Sequence, residues 1–344
     1  MTRGAMIWAV HLAALAVLFA LQWVLPPYHV TNLARIMVLA LFASAYNLAF
    51  GYTGLLSLGH ALFFAAGMYA GGLPAWHWGV SGGTALLLGL LGGGIAALLV
   101  GLLALRTAGV AFMIVTLMFA QAFALTILYF NSWTGGDEGF TLPTAGRQVL
   151  GFDLSQEGPR FVAAWVLCTV GVLLALALMR SRHGRVLVAL RENEERSRML
   201  GYDPYARKLA VLVLSGVLSG LAGAGYAVLF GYAGGSFAAI QYSILPMLYV
   251  LMGGAGTVLG PLLGAAVMFY LIDAGPGLLA QGLRGLAGAL SGVMPGLSAL
   301  LADFAGWASS AWLFVVGISL ILLVLFAPRG ILGWVRAHVW RDLP

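Results

Sequence analysis

Ten apolar stretches, separated by short glycine-rich or charged connections, leave this chain few ways to fold. An apolar run of about 20 residues matches, as a helix, the roughly 30 Å hydrocarbon thickness of a bilayer. Inside lipid only helices and closed barrels satisfy their own backbone groups. The stretches cover 6–25, 32–50, 55–73, 84–105, 108–130, 161–179, 209–231, 242–254, 257–274 and 312–327. They predict an all-α, polytopic transmembrane helical bundle of about ten spans, with eight to ten fitting the pattern, in a single transmembrane domain over 1–344. With 62% hydrophobic and 8% charged residues, the chain lies far from the roughly 25% charged composition of soluble domains. The first stretch is longer than a signal-peptide core and lacks a small-x-small cleavage site, so it reads as a retained span. Residues 276–310, glycine-rich and interrupted by Pro295, suit an interfacial or re-entrant segment better than two further spans.

Charge orients the bundle. If the stretches alternate from a cytoplasmic N-terminus, Arg3, Arg106, the eight Lys/Arg of 180–208, Arg329, Arg336 and Arg341 share the cytoplasmic side. Only Arg35, Arg147, Arg160 and Arg284 fall on the other. That asymmetry places both termini in the cytoplasm. It also accounts for the net charge of +6 and the pI of about 9.7 without a nucleic-acid partner. Six tryptophans (Trp23, Trp76, Trp78, Trp133, Trp165, Trp312) near the outer ends and Trp8 and Trp334 near the inner ones fit the headgroup level.

Small residues recur every four positions in three stretches: Gly89, Gly93 and Ala97; Gly216, Gly220 and Ala224; Gly256, Gly260 and Gly264. Each set lies on one helical face, where it lets backbones approach closely. Gly51-Tyr52-Thr53-Gly54 is echoed by Gly231-Tyr232-Ala233-Gly234, which suggests an inverted repeat of five spans per half.

The motifs of self-contained enzymes are missing. The only lysine, Lys208, follows Arg207, so no P-loop exists, and there is no Gly-x-Ser-x-Gly elbow, His-Glu-x-x-His helix or dinucleotide loop. The lone Cys168 permits neither an intrachain disulfide nor a cysteine metal site. No cofactor is expected, and any ATP hydrolysis belongs to another chain.

Against this apolar background the segment 180–208 is the one long polar helix candidate. Glu192 with Arg196 and Glu194 with Arg198 are i,i+4 pairs in the favourable order, and Gly201 with Asp203-Pro204 ends the helix. A short cytoplasmic helix held between spans can move rigidly with the membrane domain when another protein grips it. A plain solvated helix has the same composition.

The run Arg191-Glu-Asn-Glu194 closed by Gly201 resembles the coupling-helix loop of the branched-chain amino-acid ABC transporter permease family, specifically its M-type subunit. Four further motifs are similar to that family: Gly51-Tyr-Thr-Gly-Leu-Leu-Ser57-Leu-Gly59-His60, Thr134-Gly-Gly-Asp-Glu-Gly139, Met252-Gly-Gly-Ala-Gly-Thr257-Val-Leu-Gly260-Pro261 and Phe326-Ala-Pro328-Arg329-Gly330. The resemblance implies a bacterial inner-membrane permease subunit paired with a homologous second permease. It further implies two cytoplasmic ATPase subunits and an extracytoplasmic solute-binding protein. In that arrangement Arg191, Glu192, Glu194, Glu195, Arg198 and Gly201 would sit in an ATPase groove, and the solutes would be branched-chain amino acids or similar small polar molecules. Urea, short amides and aromatic amino acids or carboxylates fit the same machinery. A secondary transporter or channel acting without an ATPase is the competing class, although the scarcity of membrane-buried carboxylates speaks against it.

Ser44, Asn47, Tyr52, Ser57 and His60 form a second constellation, flanked by Gly51, Gly54 and Gly59. A helix break there could line a substrate pathway, with a half-helix N-terminus facing a carboxylate. The same side chains could equally tie helices together by hydrogen bonds. Arg35 and Asp273 fall near outer ends, where snorkelling or a local pair is expected. The acidic, glycine-rich loop 131–160, with Asp137 and Glu138, suits a docking surface for a binding protein as well as it suits a solvated loop.

Overall fold

The structure is a computed structural model that describes residues 3–273, 275–291, 294–312, 314, 316–318, 321, 325 and 330–338. The expected span over 312–327 and the motif 326–330 therefore lie largely outside the described residues.

The chain is a predominantly helical polytopic bundle. Helices α1 (Arg3–Ala20), α2 (Pro27–Asn47), α3 (His60–His77), α4 (Gly82–Ala104) and α5 (Val110–Tyr129) precede a one-turn helix, α6 (Asn131–Thr134). A loop then leads to α7 (Glu157–Arg180), α8 (Arg182–Glu192), α9 (Glu194–Met199), α10 (Pro204–Phe230), α11 (Ile240–Gly253) and α12 (Gly260–Asp273). The pair α13 (Gly275–Leu290) and α14 (Pro295–Ser310) follows, and a helix over Gly330–His338 comes last among the described residues.

Among the described residues six helices are long and apolar enough to cross a bilayer alone: Ala5–Trp23, Pro27–Tyr52, Gly82–Ala104, Val110–Tyr129, Glu157–Arg180 and Pro204–Phe230. The pair α12–α13, bent by 56°, makes a seventh if counted as one span. The ten-span expectation is thus refined in three places. The third stretch begins not at Leu55 but at His60, because Gly54 has φ +76° and residues 54–59 leave the helix. Helix α3 is not among the six: His60 and His77 stand at its two ends, and Gly67, Gly71, Gly72 and Pro74 lie within it. The eighth and ninth stretches are 14-residue helices, about 21 Å long, joined by a tight turn at 254–259. Neither reaches across alone.

Helix α2 is the centre of the bundle, with Ile36, Met37, Leu41, Phe42, Tyr46 and Leu48 fully enclosed by α7, α10, α11 and α12. Lipid tails are as apolar as these side chains, so cohesion comes from close packing rather than from expelling water. The glycine ladders supply it. A Cβ at Gly220 would run into Gly89 O and come within 2.7 Å of Gly93 Cα, and one at Gly216 would approach Gly93 O at 2.7 Å. In the third ladder Gly264 and Gly260 face α11, but Gly256 stands in the turn with φ +76°. The outer face of α4 offers Leu87, Leu91, Ile95, Leu99 and Leu102 at helical spacing, an exposed apolar stripe for lipid.

The two ends of the bundle follow from connectivity. Helix α7, about 36 Å long, runs from Glu157 to the start of α8. Helix α10 starts beside α9, where Lys208 pairs with Glu194, and runs back to Gly231 at the opposite end. The two echoed motifs therefore sit at opposite ends, as an inverted pair requires, but in different conformations: a π turn over Leu48–Tyr52 and a left-handed cap at Gly231.

At the end away from α8, the loop after α6 is stitched to the bundle. Strand β1 (Phe140–Thr141) pairs antiparallel with β4 (Tyr232–Ala233), and β2 (Gln148–Val149) with β3 (Phe152–Asp153). The two-residue turn Leu150–Gly151 has both φ values positive, the geometry that suits a tight hairpin. Helices α13 and α14 pack on one another and leave Leu278, Leu286, Leu300, Phe304 and Trp307 exposed.

Candidate functional site

The residues singled out on α2 converge on the end nearest α8. After Asn47 the helix widens into the π turn Leu48–Tyr52, a bulge of the kind frequent at functional sites. The Asn47 side chain bridges to the α11–α12 turn: its Nδ2 donates to Thr257 O at 2.8 Å, and Gly256 N donates to its Oδ1 at 3.0 Å. Only glycine fits at position 51, since a Cβ there would collide with Asn47 Oδ1 and lie 2.6 Å from Gly256 N. Gly330 closes the other side, where a Cβ would stand 2.5 Å from Gly254 Cα. Two interrupted elements, 48–59 and 254–259, therefore meet backbone to backbone.

Arg191 of α8 reaches this junction. Its Nη1 donates to Gly51 O, and Gly256 lies beside the same guanidinium. The side chain read from sequence as a groove contact is turned toward its own membrane domain. Glu194 is also engaged within the chain, by Lys208 and, at 4.0 Å, by the largely exposed Arg198. Glu192 and Glu195 are exposed. The single helix expected here is two, broken at Asn193, whose Oδ1 caps α9 by accepting from Arg196 N at 2.9 Å. The break separates Glu192 from Arg196, so only the second anticipated i,i+4 pair is recorded. Gly201, with φ +85° and open space around it, ends α9.

Ser57 and His60 lie deeper, fully buried. Ser215 Oγ donates to Ala45 O at 2.6 Å, so at 2.9 Å it accepts from His60 Nε2, which fixes the Nε2-protonated tautomer. His60 thereby joins α3, α10 and α2. The amides at the start of α3 are occupied: Leu58 N by Thr116 Oγ1 at 3.2 Å, Gly59 N by Ser57 Oγ at 3.1 Å and Ala61 N by Ser243 Oγ at 3.0 Å. Three of the amides that a carboxylate could meet there are thus taken in this conformation. Here His60 ties helices together, while Ser57 caps its own turn through Gly59 N.

A polar seam nonetheless runs along α2. Asn32 Nδ2, Arg35 Nε and Tyr46 OH share one face at about 100° per residue and, with His60 Nδ1 beside Tyr46, are buried without a hydrogen-bond partner among the described residues; Ser44 Oγ, on the opposite face, and Tyr52 OH, in the π turn, are unpaired too. Buried polar groups are ordinarily paired, by protein or by ordered water, and these have no protein partner among the described residues.

At the opposite end Asp137 and Glu138 are exposed on the loop that β1 ties down, where Tyr232 OH donates to Glu138 O at 3.0 Å. Arg147 anchors that loop by donating to Val228 O at 3.0 Å, Leu229 O at 2.7 Å and Leu154 O at 3.3 Å. Burial, then the charge of Arg160, pulls the Arg147 guanidinium below its ordinary pKa, and Asp153 opposes them. Hydrogen bonds from Ser155, one of them from Ser155 N at 2.8 Å, hold the Asp153 carboxyl below the usual carboxylate range. Among the described residues no three His, Cys, Asp or Glu side chains gather as a metal site needs.

Sequence reasoning overlooked Ser215, Ser243 and Thr116. Each is a hydroxyl within a predominantly apolar stretch, which is the signal that could have found them.

Comparison with known proteins agrees with this architecture. A family described as branched-chain amino acid transport system/permease component matches residues 28–324. Over 254 residues the chain is 28% identical to the high-affinity branched-chain amino acid transport system permease protein LivM of Salmonella typhimurium, and equally to that of Escherichia coli. The match takes in 67% of this chain and 60% of either relative, so the chain spans about three fifths of their length. A probable branched-chain amino acid transport permease protein LivM of Methanocaldococcus jannaschii is 29% identical over 163 residues, 46% of this chain and 45% of that protein. No solved structure matches.

Proposed function

This chain belongs to the branched-chain amino acid transport system permease family, and from that premise we propose that it is one of two related permease subunits in a binding-protein-dependent ABC importer. Its solutes are branched-chain amino acids or similarly small polar molecules. Separate cytoplasmic ATPase subunits grip α8 and α9 through Glu192, Glu195 and Arg198, where opposite charges set register more than affinity. The solute-binding protein docks at the other end, over Asp137 and Glu138. Both termini and α8 face the cytoplasm, in keeping with the clustering of Lys and Arg.

The observation that carries the coupling reading is the contact from Arg191 to Gly51. It joins the helix offered to an ATPase directly to the π turn of α2 and, through Asn47, to the α11–α12 turn. A rigid shift of α8 pulls on both interrupted elements together. The unpaired groups along α2 lie inside this chain's own bundle, so the path they line runs within the subunit and is closed here.

Reconstitution tests this reading. Liposomes holding the complete importer should accumulate L-leucine only with Mg-ATP inside the reach of the ATPase subunits and with the binding protein on the opposite side. Leucine movement by this chain alone, without ATP, would refute it.

A further inference from the structure

At the end of the bundle away from α8, a cleft of about 330 Å³ opens between the first turns of α2 and α7. Pro27, Tyr28, Thr31, Asn32, Arg35 and Glu157 line it. That volume lies at the small end of ligand sites, which run from about 300 to 1,000 Å³. The lining is bipolar.

Its positive side is Arg35, about 12 Å along α2 from Pro27. A cation near the outer end of a span ordinarily snorkels or finds a local partner. Here, among the described residues, no ion pair within 4.0 Å engages Arg35, and its Nε is buried without a hydrogen bond. The Phe230 ring lies 5.4 Å from Cζ to centroid, and Tyr226 and Tyr242 lie within reach of its charge. Beside it Asn32, 4% exposed, holds its Nδ2 unpartnered. The negative side is Glu157, whose Oε1 accepts from Thr31 Oγ1 at 3.2 Å while no hydrogen bond is recorded for Oε2.

Donors without acceptors on one wall and a carboxylate with an idle oxygen on the other call for a ligand of complementary polarity. An α-amino acid zwitterion has it: a carboxylate for Arg35 and Asn32, where charge-assisted bonds are strongest, and an ammonium for Glu157. We infer that this cleft is a binding site for zwitterionic α-amino acids, entered from the side opposite α8 and leading into the seam along α2. The inference rests on the importer reading for its substrate. A phosphatidylethanolamine headgroup carries a similar anion–ammonium pair, so the test separates the two sources.

The test measures equilibrium binding of radiolabelled L-leucine to the chain co-purified with its partner subunits, without ATP. It is done in phosphatidylglycerol liposomes with and without phosphatidylethanolamine, alongside ATP-driven uptake. Arg35→Gln is expected to weaken binding by about tenfold or more, with partial recovery in Arg35→Lys, and Glu157→Gln by severalfold. Neither 4-methylpentanoate, which lacks the ammonium, nor 3-methylbutylamine, which lacks the carboxylate, should compete. Arg35→Lys keeps the buried charge and so separates lost binding from lost folding. Wild-type binding that is absent, that Arg35→Gln and Glu157→Gln leave within twofold, or that phosphatidylethanolamine abolishes would overturn the site. Intact leucine binding without ATP-driven uptake would instead count against the importer reading alone.

Discussion

Arg147 and Arg191 both donate to backbone carbonyls, at opposite ends of the same bundle, and their grips differ. Arg147 serves three carbonyls, and two of them, Val228 O and Leu229 O, belong to the last turn of α10, where intrahelical partners run out. The strand pair β1–β4 holds the same loop a second time. Arg191 serves one carbonyl, Gly51 O, from a helix whose outer face is exposed and whose inner face sets Leu187 and Leu190 into the bundle. At one end a single side chain holds three carbonyls and a strand pair repeats the grip, whereas at the other end one hydrogen bond joins α8 to the π turn beside the apolar packing of Leu187 and Leu190. A pore that alternates its access needs such a joint on the side where force arrives.

Removing the stronger grip should cost the most stability. Arg147→Met leaves the carbonyls of Val228, Leu229 and Leu154 without this donor, and charged hydrogen bonds to buried groups are worth about 1.5–3 kcal/mol each before compensation. A net loss of about 3 kcal/mol is expected, visible as a lower melting temperature in mild detergent. An unchanged melting temperature would erase the contrast between the two ends.

Arg191→Met should do the opposite. One partly exposed bond contributes about 1 kcal/mol or less to stability, but the link from α8 to the π turn is gone. Leucine transported per ATP should fall about tenfold, roughly 1.4 kcal/mol of coupling, while the ATPase subunits still co-purify. Were Arg191 a groove contact, as its sequence motif first suggests, co-purification would weaken instead.

How much of this was legible beforehand differs between the ends in the same way. Apolar runs and charge asymmetry announced the bundle, and the glycine ladders of α4 and α10 pack as four-residue spacing requires. The motif around Gly51 marked a helix break, and the break is there. What pattern could not supply was direction. Periodicity places Arg191 on a polar helix but does not say that its guanidinium folds back onto Gly51. It treats Gly256 as a helical neighbour of Gly260 when the backbone has already turned to φ +76°. Arg35 and Glu157 are 122 residues apart, and only the packing of α2 on α7 makes them one cleft.

Two glycines with similar backbone angles give the finest test of the joint. Gly256 has φ +76° and Gly201 φ +85°, so alanine at either position incurs the left-handed penalty of about 1–2 kcal/mol. Their surroundings differ. A Cβ at 256 would meet Gly51 O at 3.2 Å and Arg191 Nη1 at 3.4 Å, whereas one at 201 meets nothing within 4 Å. Gly256→Ala and Gly201→Ala should therefore lower the melting temperature by comparable, small amounts. Only the first presses on the bond between Arg191 and Gly51, so only the first should reduce leucine carried per ATP, by about twofold to threefold, a few tenths of a kcal/mol. Equal coupling in the two variants would mean that the 254–259 turn follows α8 without needing that bond. A coupling loss confined to Gly201→Ala would move the joint from the π turn to the end of α9.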